Sequence, residues 1–252
     1  MCYNVNIEQV LFITCHERSI LMKVVYWSDY SCPFCYIGEA RLKKAAEEAG
    51  VNIVPEMKAF QLDPTAGLHA EGDTVTRFAK KYGLSIESAA HRIDMISEMG
   101  RGEGIDFRYA TTLFTNTMDA HRLTKFAFYK GGPVLAEQIA EKLYAAYFTD
   151  NLELADHSVL KRIAMECGLD EADIDELLAS DRYKDEVLLD EREAQRYQIY
   201  AVPYFLVNRV YAISGADSVE HIREILERAK KDEAPSESEK TGMHCGPDGC
   251  HF

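Results

Sequence analysis

Residues 24–37 read V-V-Y-W-S-D-Y-S-C-P-F-C-Y-I, and the change of pattern within them decides the fold. Val24-Val25-Tyr26-Trp27 is a short β-branched and aromatic run, which predicts a strand. Ser28 to Ser31 form the turn. Pro33 suits the first position of a helix, where its missing N–H would be unpaired in any case. Ile37, Ala40, Ala45, Ala46 and Ala49, with Glu and Lys between them, carry the helix to Gly50, a natural C-terminal stop. Cys32 and Cys35 therefore fall at a strand-to-helix junction.

Working outward, Val51 to Phe60 reads as a second strand, and the character changes near Pro64. From Thr74 to about Tyr197 the chain is almost entirely helix-periodic, punctuated at Gly100–Gly104, Gly131-Gly132-Pro133 and Gly168. S-I-E-S-A-A-H-R-I-D-M-I and V-L-A-E-Q-I-A-E-K-L-Y-A-A-Y-F are amphipathic helices within it. Strand character returns at Tyr204–Val207 and Val210–Ile213, with Asn208-Arg209 as a hairpin connection. Ser218 caps a last helix. The following K-K-D-E-A-P-S-E-S-E-K-T-G is polar and free of aromatics, the composition of a flexible tail. The order is strand, helix, strand, helical block, strand pair, helix. A βαβ unit and a later hairpin plus helix close one sheet, with the helical block inserted between them.

The bulk composition narrows the chemistry. The 252 residues are 47% hydrophobic and 28% charged, an ordinary globular balance. A net charge of −14 argues against nucleic acid as a partner, and no basic patch offsets it. Lys43-Lys44 and Lys80-Lys81 read as solvated helix charges. No apolar run approaches the ~20 residues that span a bilayer, and the start lacks a secretory pattern. The expected compartment is the cytoplasm, where paired cysteines tend to be catalytic or metal-bound. Residues 1–21 read as a dispensable extension. Cys2, Cys15 and Cys167 have no close partner in sequence, and Cys167 reads as a small buried apolar residue.

A C-x-x-C at a helix start places its first sulfur near unpaired N–H groups and the positive end of the helix dipole, which favour a thiolate. Such a thiolate attacks a disulfide, and the second cysteine, one turn on, resolves the mixed disulfide. The spacing also permits zinc, although zinc sites usually need a second pair or histidines. The strand–turn–helix setting favours redox chemistry. Far along the chain, Val202-Pro203 opens the strand Y-F-L-V. A trans bond is the ordinary expectation there. If the bond were cis, Pro203 would sit beside the cysteines, and the Val202 backbone could pair with an extended substrate.

W-S-D-Y-S-C-P-F-C-Y-I-G, the helical insertion, N-T-M-D-A-H-R-L (116–123) and V-P-Y-F together resemble DsbA-like thioredoxin-fold oxidoreductases. Within these the chain is most similar to the FrnE-like branch, related to 2-hydroxychromene-2-carboxylate isomerases and kappa-class glutathione transferases. The resemblance spans about Met22 to Ala229. It implies an α/β thioredoxin fold with a large all-helical insertion between its βαβ half and its hairpin–helix half. Residues 22–63 and 198–230 would form the thioredoxin-like domain and 64–197 the insertion. The resemblance also implies a cis bond before Pro203 and Cys32/Cys35 as the redox pair. It places the 116–123 segment over the cysteines, so Trp27, Pro33, Phe34, Asn116, His121 and Val202 are expected to line the cleft. His91 and His157 read as solvated.

Two departures from the family pattern stand out. I-Y-A-V-P at 199–203 replaces the usual I-S-G-V-P, so Tyr200 and Ala201 narrow the substrate groove. The isomerase and transferase relatives carry serine at the nucleophile and bind glutathione, whereas Cys32 with Cys35 points to dithiol exchange. Phe34 offers a thiolate no charge or hydrogen bond, so a milder oxidant than members with histidine there is expected.

In the tail, G-M-H-C-G-P-D-G-C-H-F sets Cys245 and Cys250 around a Pro-Asp-Gly turn. Residues 231–252 read as a flexible arm long enough to bring this pair to Cys32/Cys35 as a second redox pair. A zinc clip through Cys245, Cys250 and His244 or His251 is the alternative, and an inert tail the third. The expected activity is thiol–disulfide exchange on protein or small-molecule thiols and disulfides, by a monomer or homodimer that needs no cofactor or metal. Glutathione is the candidate small-thiol reductant or substrate. A glutathione-dependent isomerase or transferase and a redox- or zinc-responsive binding protein are the competing readings.

Overall fold

The computed structural model describes residues 21–233, with the backbone of 245–246 and 249–250. Strand β1 (Leu21–Ser28) leads through the turn 29–31 into helix α1 (Pro33–Ala49), which returns the chain to β2 (Asn52–Ala59). β1 and β2 pair in parallel, from Leu21 opposite Asn52 to Ser28 opposite Ala59. After the helical block, β3 (Tyr204–Val207) lies antiparallel on the other side of β1, with Trp27 opposite Tyr204. β4 (Tyr211–Ser214) pairs with β3 at the edge, giving the order β2-β1-β3-β4. The hairpin turn takes three residues rather than two. Asn208 and Arg209 both adopt positive φ, the conformation that matches the twist of the flanking strands.

The alternation along β1 separates two faces. Met22, Val24 and Tyr26 pack with Phe205 and Val207 under Leu42, Ala45 and Ala46 of α1 and Ile222 and Leu226 of α8 (Val219–Glu233). Val25 and Trp27 point the other way. Trp27 packs on Ala194 and Ile199 and donates its indole N–H to the Asp190 carbonyl at 3.1 Å. Asp190 lies on α7 (Lys184–Arg196), and its carboxylate accepts the Ala59 N–H at 2.8 Å, tying down the end of β2. The sheet is thus covered by α1 and α8 on one face and by the last helix of the insertion on the other.

The insertion comprises α2 (Thr74–Tyr82), α3 (Ile86–Gly102), a short 3-10 turn at Tyr109–Thr111, α4 (Met118–Phe148), α5 (His157–Glu166), α6 (Glu171–Leu178) and α7. Asp73, Ser85, Asp156 and Asp170 cap α2, α3, α5 and α6 by accepting first-turn N–H groups. The helix expected to restart after Gly131-Gly132-Pro133 does so: α4 is broken there by non-helical backbone at Gly131 and Gly132. Gly132 has φ 71°, a conformation that favours glycine. The insertion does not hold its core apart from the sheet. Tyr30, Cys32, Cys35 and Ile37 share one apolar cluster with residues of α3 to α6.

β1 begins at Leu21, one residue inside the stretch read as an extension; residues 1–20 lie outside the described residues. So does most of the tail. Its described backbone forms a two-residue ladder with Cys245 opposite Cys250.

Candidate active site

Ser28 ends β1, and the next three residues are fixed by one buried side chain. The Asp29 carboxylate accepts the Ser31 hydroxyl and the Leu62 N–H, both at 2.8 Å, while the Asp29 carbonyl accepts the Cys32 N–H at 3.0 Å. His121 Nε2 lies 3.5 Å from the same carboxylate, an electrostatic contact more than a directed hydrogen bond. Burial acts to raise the Asp29 pKa. His121, the Leu62 N–H and Ser31 outweigh it and hold the carboxyl below the usual carboxylate range.

Cys32 is the N-cap residue of α1. Unlike the caps of the insertion helices noted above, it forms no side-chain cap hydrogen bond. The first-turn N–H groups of α1 are therefore left without a side-chain oxygen, next to the Cys32 sulfur. That sulfur lies 3.6 Å from the Val202 carbonyl oxygen. The Val202–Pro203 bond is cis. Gly38, two turns along α1, makes this approach possible, since a Cβ there would come within 3.0 Å of Pro203 Cγ and 3.3 Å of Phe205.

The two sulfurs occupy different surroundings. Cys32 is 4% exposed and borders an open groove. The Val202 loop and the helical block close over it. Cys35, one turn on, is 1% exposed and sealed in the shared core. Burial, reinforced by the neighbouring Cys32 thiol, pushes the Cys35 thiol well above its ordinary range, with Ser28 and Asp29 opposing weakly. Behind it, Ser28 Oγ and the Tyr144 hydroxyl share a 2.5 Å hydrogen bond, and Tyr144 stacks on Tyr36 at 4.9 Å between ring centres.

The groove has a volume of about 590 Å³ and runs between α2 and α3 on one side and residues 200–202 on the other. Pro33, Phe34 and Val202 line it, with Tyr200 77% exposed at the rim. Three of the residues expected in the cleft stand elsewhere. Trp27 is on β1, buried against α7, because strand alternation turns it away from α1. His121 is buried against Asp29 and the Tyr30 ring, behind the turn rather than in the groove. Asn116 precedes α4 instead of sharing its face. It donates to the carbonyls of Pro64 and Ala66 at 3.1 and 3.3 Å and caps Met118 N–H at 2.8 Å, pinning the loop after β2. The sequence reading missed Asp29, Arg77 and Arg92, and read Lys81 only as a solvated helix charge. Asp29 carried a signal: a lone acid in the turn between the first strand and the cysteine pair, three residues before Cys32. The three cations carried none. Among the described residues no three His, Cys, Asp or Glu side chains converge as a metal site.

Comparison with known proteins gives the family and the fold. The family model described as DSBA-like thioredoxin domain matches residues 23–227. The crystal structure of the probable DsbA oxidoreductase SCO1869 from Streptomyces coelicolor is 32% identical, covering 92% of this chain and 99% of that one, with a TM-score of 0.77. YwbO of Bacillus subtilis (strain 168) is 26% identical over 219 residues, 82% of this chain and 94% of that protein. 2-hydroxychromene-2-carboxylate isomerase shares the fold at 15% identity, with a TM-score of 0.64 over 84% of this chain and 98% of that one.

Proposed function

This chain belongs to the family of DSBA-like thioredoxin domains, and from that premise we propose that Cys32 and Cys35 are its working dithiol. The Cys32 sulfur attacks a substrate disulfide. The substrate S–S bond breaks, one substrate thiolate leaves, and a mixed disulfide forms. Cys35 then gives up its proton, attacks the Cys32 sulfur and releases the second substrate thiol. Two substrate thiols form for each protein disulfide made, and the reverse sequence oxidises a substrate dithiol. The observation that carries this reading is the asymmetry of the pair: one sulfur bordering a groove at an uncapped helix start, the other sealed one turn deeper. Negative charge that develops on the Cys32 sulfur is met by the positive end of the α1 dipole. The raised Cys35 pKa keeps the resolving thiol protonated until the mixed disulfide forms.

Reduction of insulin and refolding of reduced ribonuclease provide the test. Cys32→Ser is expected to lose at least 100-fold in both, and Cys35→Ser to accumulate a mixed disulfide with substrate. The Cys245→Ser/Cys250→Ser variant is expected to keep the first exchange but turn over more slowly, as a second redox pair on the tail requires. Wild-type rates in Cys32→Ser would end the proposal. The shared fold with 2-hydroxychromene-2-carboxylate isomerase favours one competing reading, a glutathione-dependent isomerase. In that reading Cys35 has no task, so isomerase turnover with glutathione that survives Cys35→Ser would select it.

A further inference from the structure

The groove beside Cys32 carries an arrangement of charge at odds with the rest of the chain. Its charged lining residues are Arg77, Lys81 and Arg92, and no Asp or Glu lines it, in a protein with 42 acidic and 28 basic residues. Among the described residues none of the three makes an ion pair. Arg77 and Lys81 stand four residues apart on α2, where like charges repel and weaken a helix. The Arg77 guanidinium is held over the Phe114 ring at 3.6 Å, and its buried Nε has no hydrogen-bond partner. An unsatisfied buried donor is costly unless something supplies the acceptor. Around these cations the wall is apolar, with Phe78, Met95 and Met99.

We infer that this groove selects a low-molecular-weight anionic disulfide or thiol with an apolar, aromatic body, its carboxylate or similar acid held by Arg77, Lys81 and Arg92 while its sulfur meets Cys32. This rests on the exchange reading above and adds the substrate class to it. A volume of about 590 Å³ is that of a small-molecule site. Charge points the same way. An acidic macromolecule approaching a chain of net charge −14 is repelled over its whole surface, whereas a small anion inside the groove feels mainly the charges within a Debye length, about 8–10 Å. The flat rings and methionines supply the apolar contact, and the cations orient the ligand. In the reaction, the anionic disulfide is reduced to two thiols as Cys32 and Cys35 are oxidised to a disulfide, with no further reagent.

The experiment follows the oxidation of reduced full-length protein by stopped flow with two aromatic disulfides. 5,5′-dithiobis(2-nitrobenzoate) carries two carboxylates, and 4,4′-dithiodipyridine carries none. Each rate is normalised to that of a free small thiol. The wild type is expected to favour the dicarboxylate at least tenfold. Arg77→Gln/Lys81→Gln/Arg92→Gln is expected to abolish that preference, and 0.5 M salt to reduce it in the wild type. Lys81 and Arg92 are exposed, so Lys81→Gln/Arg92→Gln gives a folded variant should loss of Arg77 disturb the wall; it is expected to lose at least threefold. Oxidised glutathione, acidic without an aromatic body, is expected to react more slowly than the dicarboxylate after the same normalisation. A preference unchanged by the substitutions and by salt would overturn the inference, as would a larger preference for an acidic disulfide-bearing polypeptide. If the wild type reacts with neither aromatic probe faster than Cys32→Ser does, the exchange reading itself falls. If it reacts equally with both, only the selectivity falls.

Discussion

Glu39 stands one turn beyond Cys35 on α1, buried, with neither carboxylate oxygen in a hydrogen bond. Burial pushes its pKa up to about 7; the nearby Lys43 ammonium opposes the shift, and Glu137 and Glu141 add to it. The unfolded chain has an ordinary Glu, so between the two pKa values the folded state binds the extra proton. Stability should therefore fall as pH rises from about 4.5 through about 7, by roughly 3 kcal/mol, and level off above. Glu39→Gln removes the titration. Urea denaturation at pH 5 and pH 8 should show a smaller difference in the variant than in the wild type. The same cluster corrects a sequence expectation. Lys43 is not a solvated charge but lies 3.4 Å from Glu39 and 2.9 Å from Glu137, and also pairs with Glu141. Cys32 and Cys35 stood out because cysteine pairs are rare and do few things, whereas the residues alone pointed to a trans bond before Pro203 and only the family resemblance implied the cis bond present. Asp29, Glu39 and the groove cations were not, because charged residues sit on surfaces so often that only burial and neighbours reveal the exceptions.

Helix α6 ends on a side chain from another helix. Buried Arg122 of α4 donates to the carbonyls of Leu177 and Arg182 at 2.6 and 2.7 Å and also to that of Ser180, while pairing with Asp119 at 2.6 Å. Arg122→Ala removes the charged donor shared by these carbonyls, although Asp119 keeps His157 at 2.8 Å and Leu177 keeps Ser180, and should cost about 3 kcal/mol in urea denaturation. Arg122→Lys should recover only part of that, because an ammonium lacks the planar fork. Most elements were legible at this scale. The β-branched run at 24–27 and the apolar spacing of the helices are local signals, and the helices fall where these predict. What the pattern did not give was orientation between elements. Asn116 and His121 share a motif with α4, yet their side chains serve the loop after β2 and the turn before Cys32. Those neighbours are 50 and more residues away along the chain and leave no periodic trace.

The sheet and the insertion share apolar cores, and the single tryptophan sits where they meet. Trp27 is on the central strand, but its indole N–H bonds to α7. Its fluorescence therefore reports the contact of the two parts, while far-UV circular dichroism is dominated by the insertion helices. One cooperative unit requires the two urea transitions to coincide; separate midpoints would mean that the insertion unfolds on its own. The alternation of sheet and helical segments was legible as a long helical run between two strand clusters. The fusion of the two into one core was not, because no local pattern states which apolar faces meet.

The contact between Cys32 and the Val202 carbonyl joins residues 170 positions apart. On the ribosome, both thiols leave the exit tunnel long before the segment that roofs them has been translated. At about 5–20 residues per second this gap lasts roughly ten to thirty seconds. Until Val202 emerges, the nascent dithiol stands uncovered, open to capture by any oxidant or stray cysteine it meets.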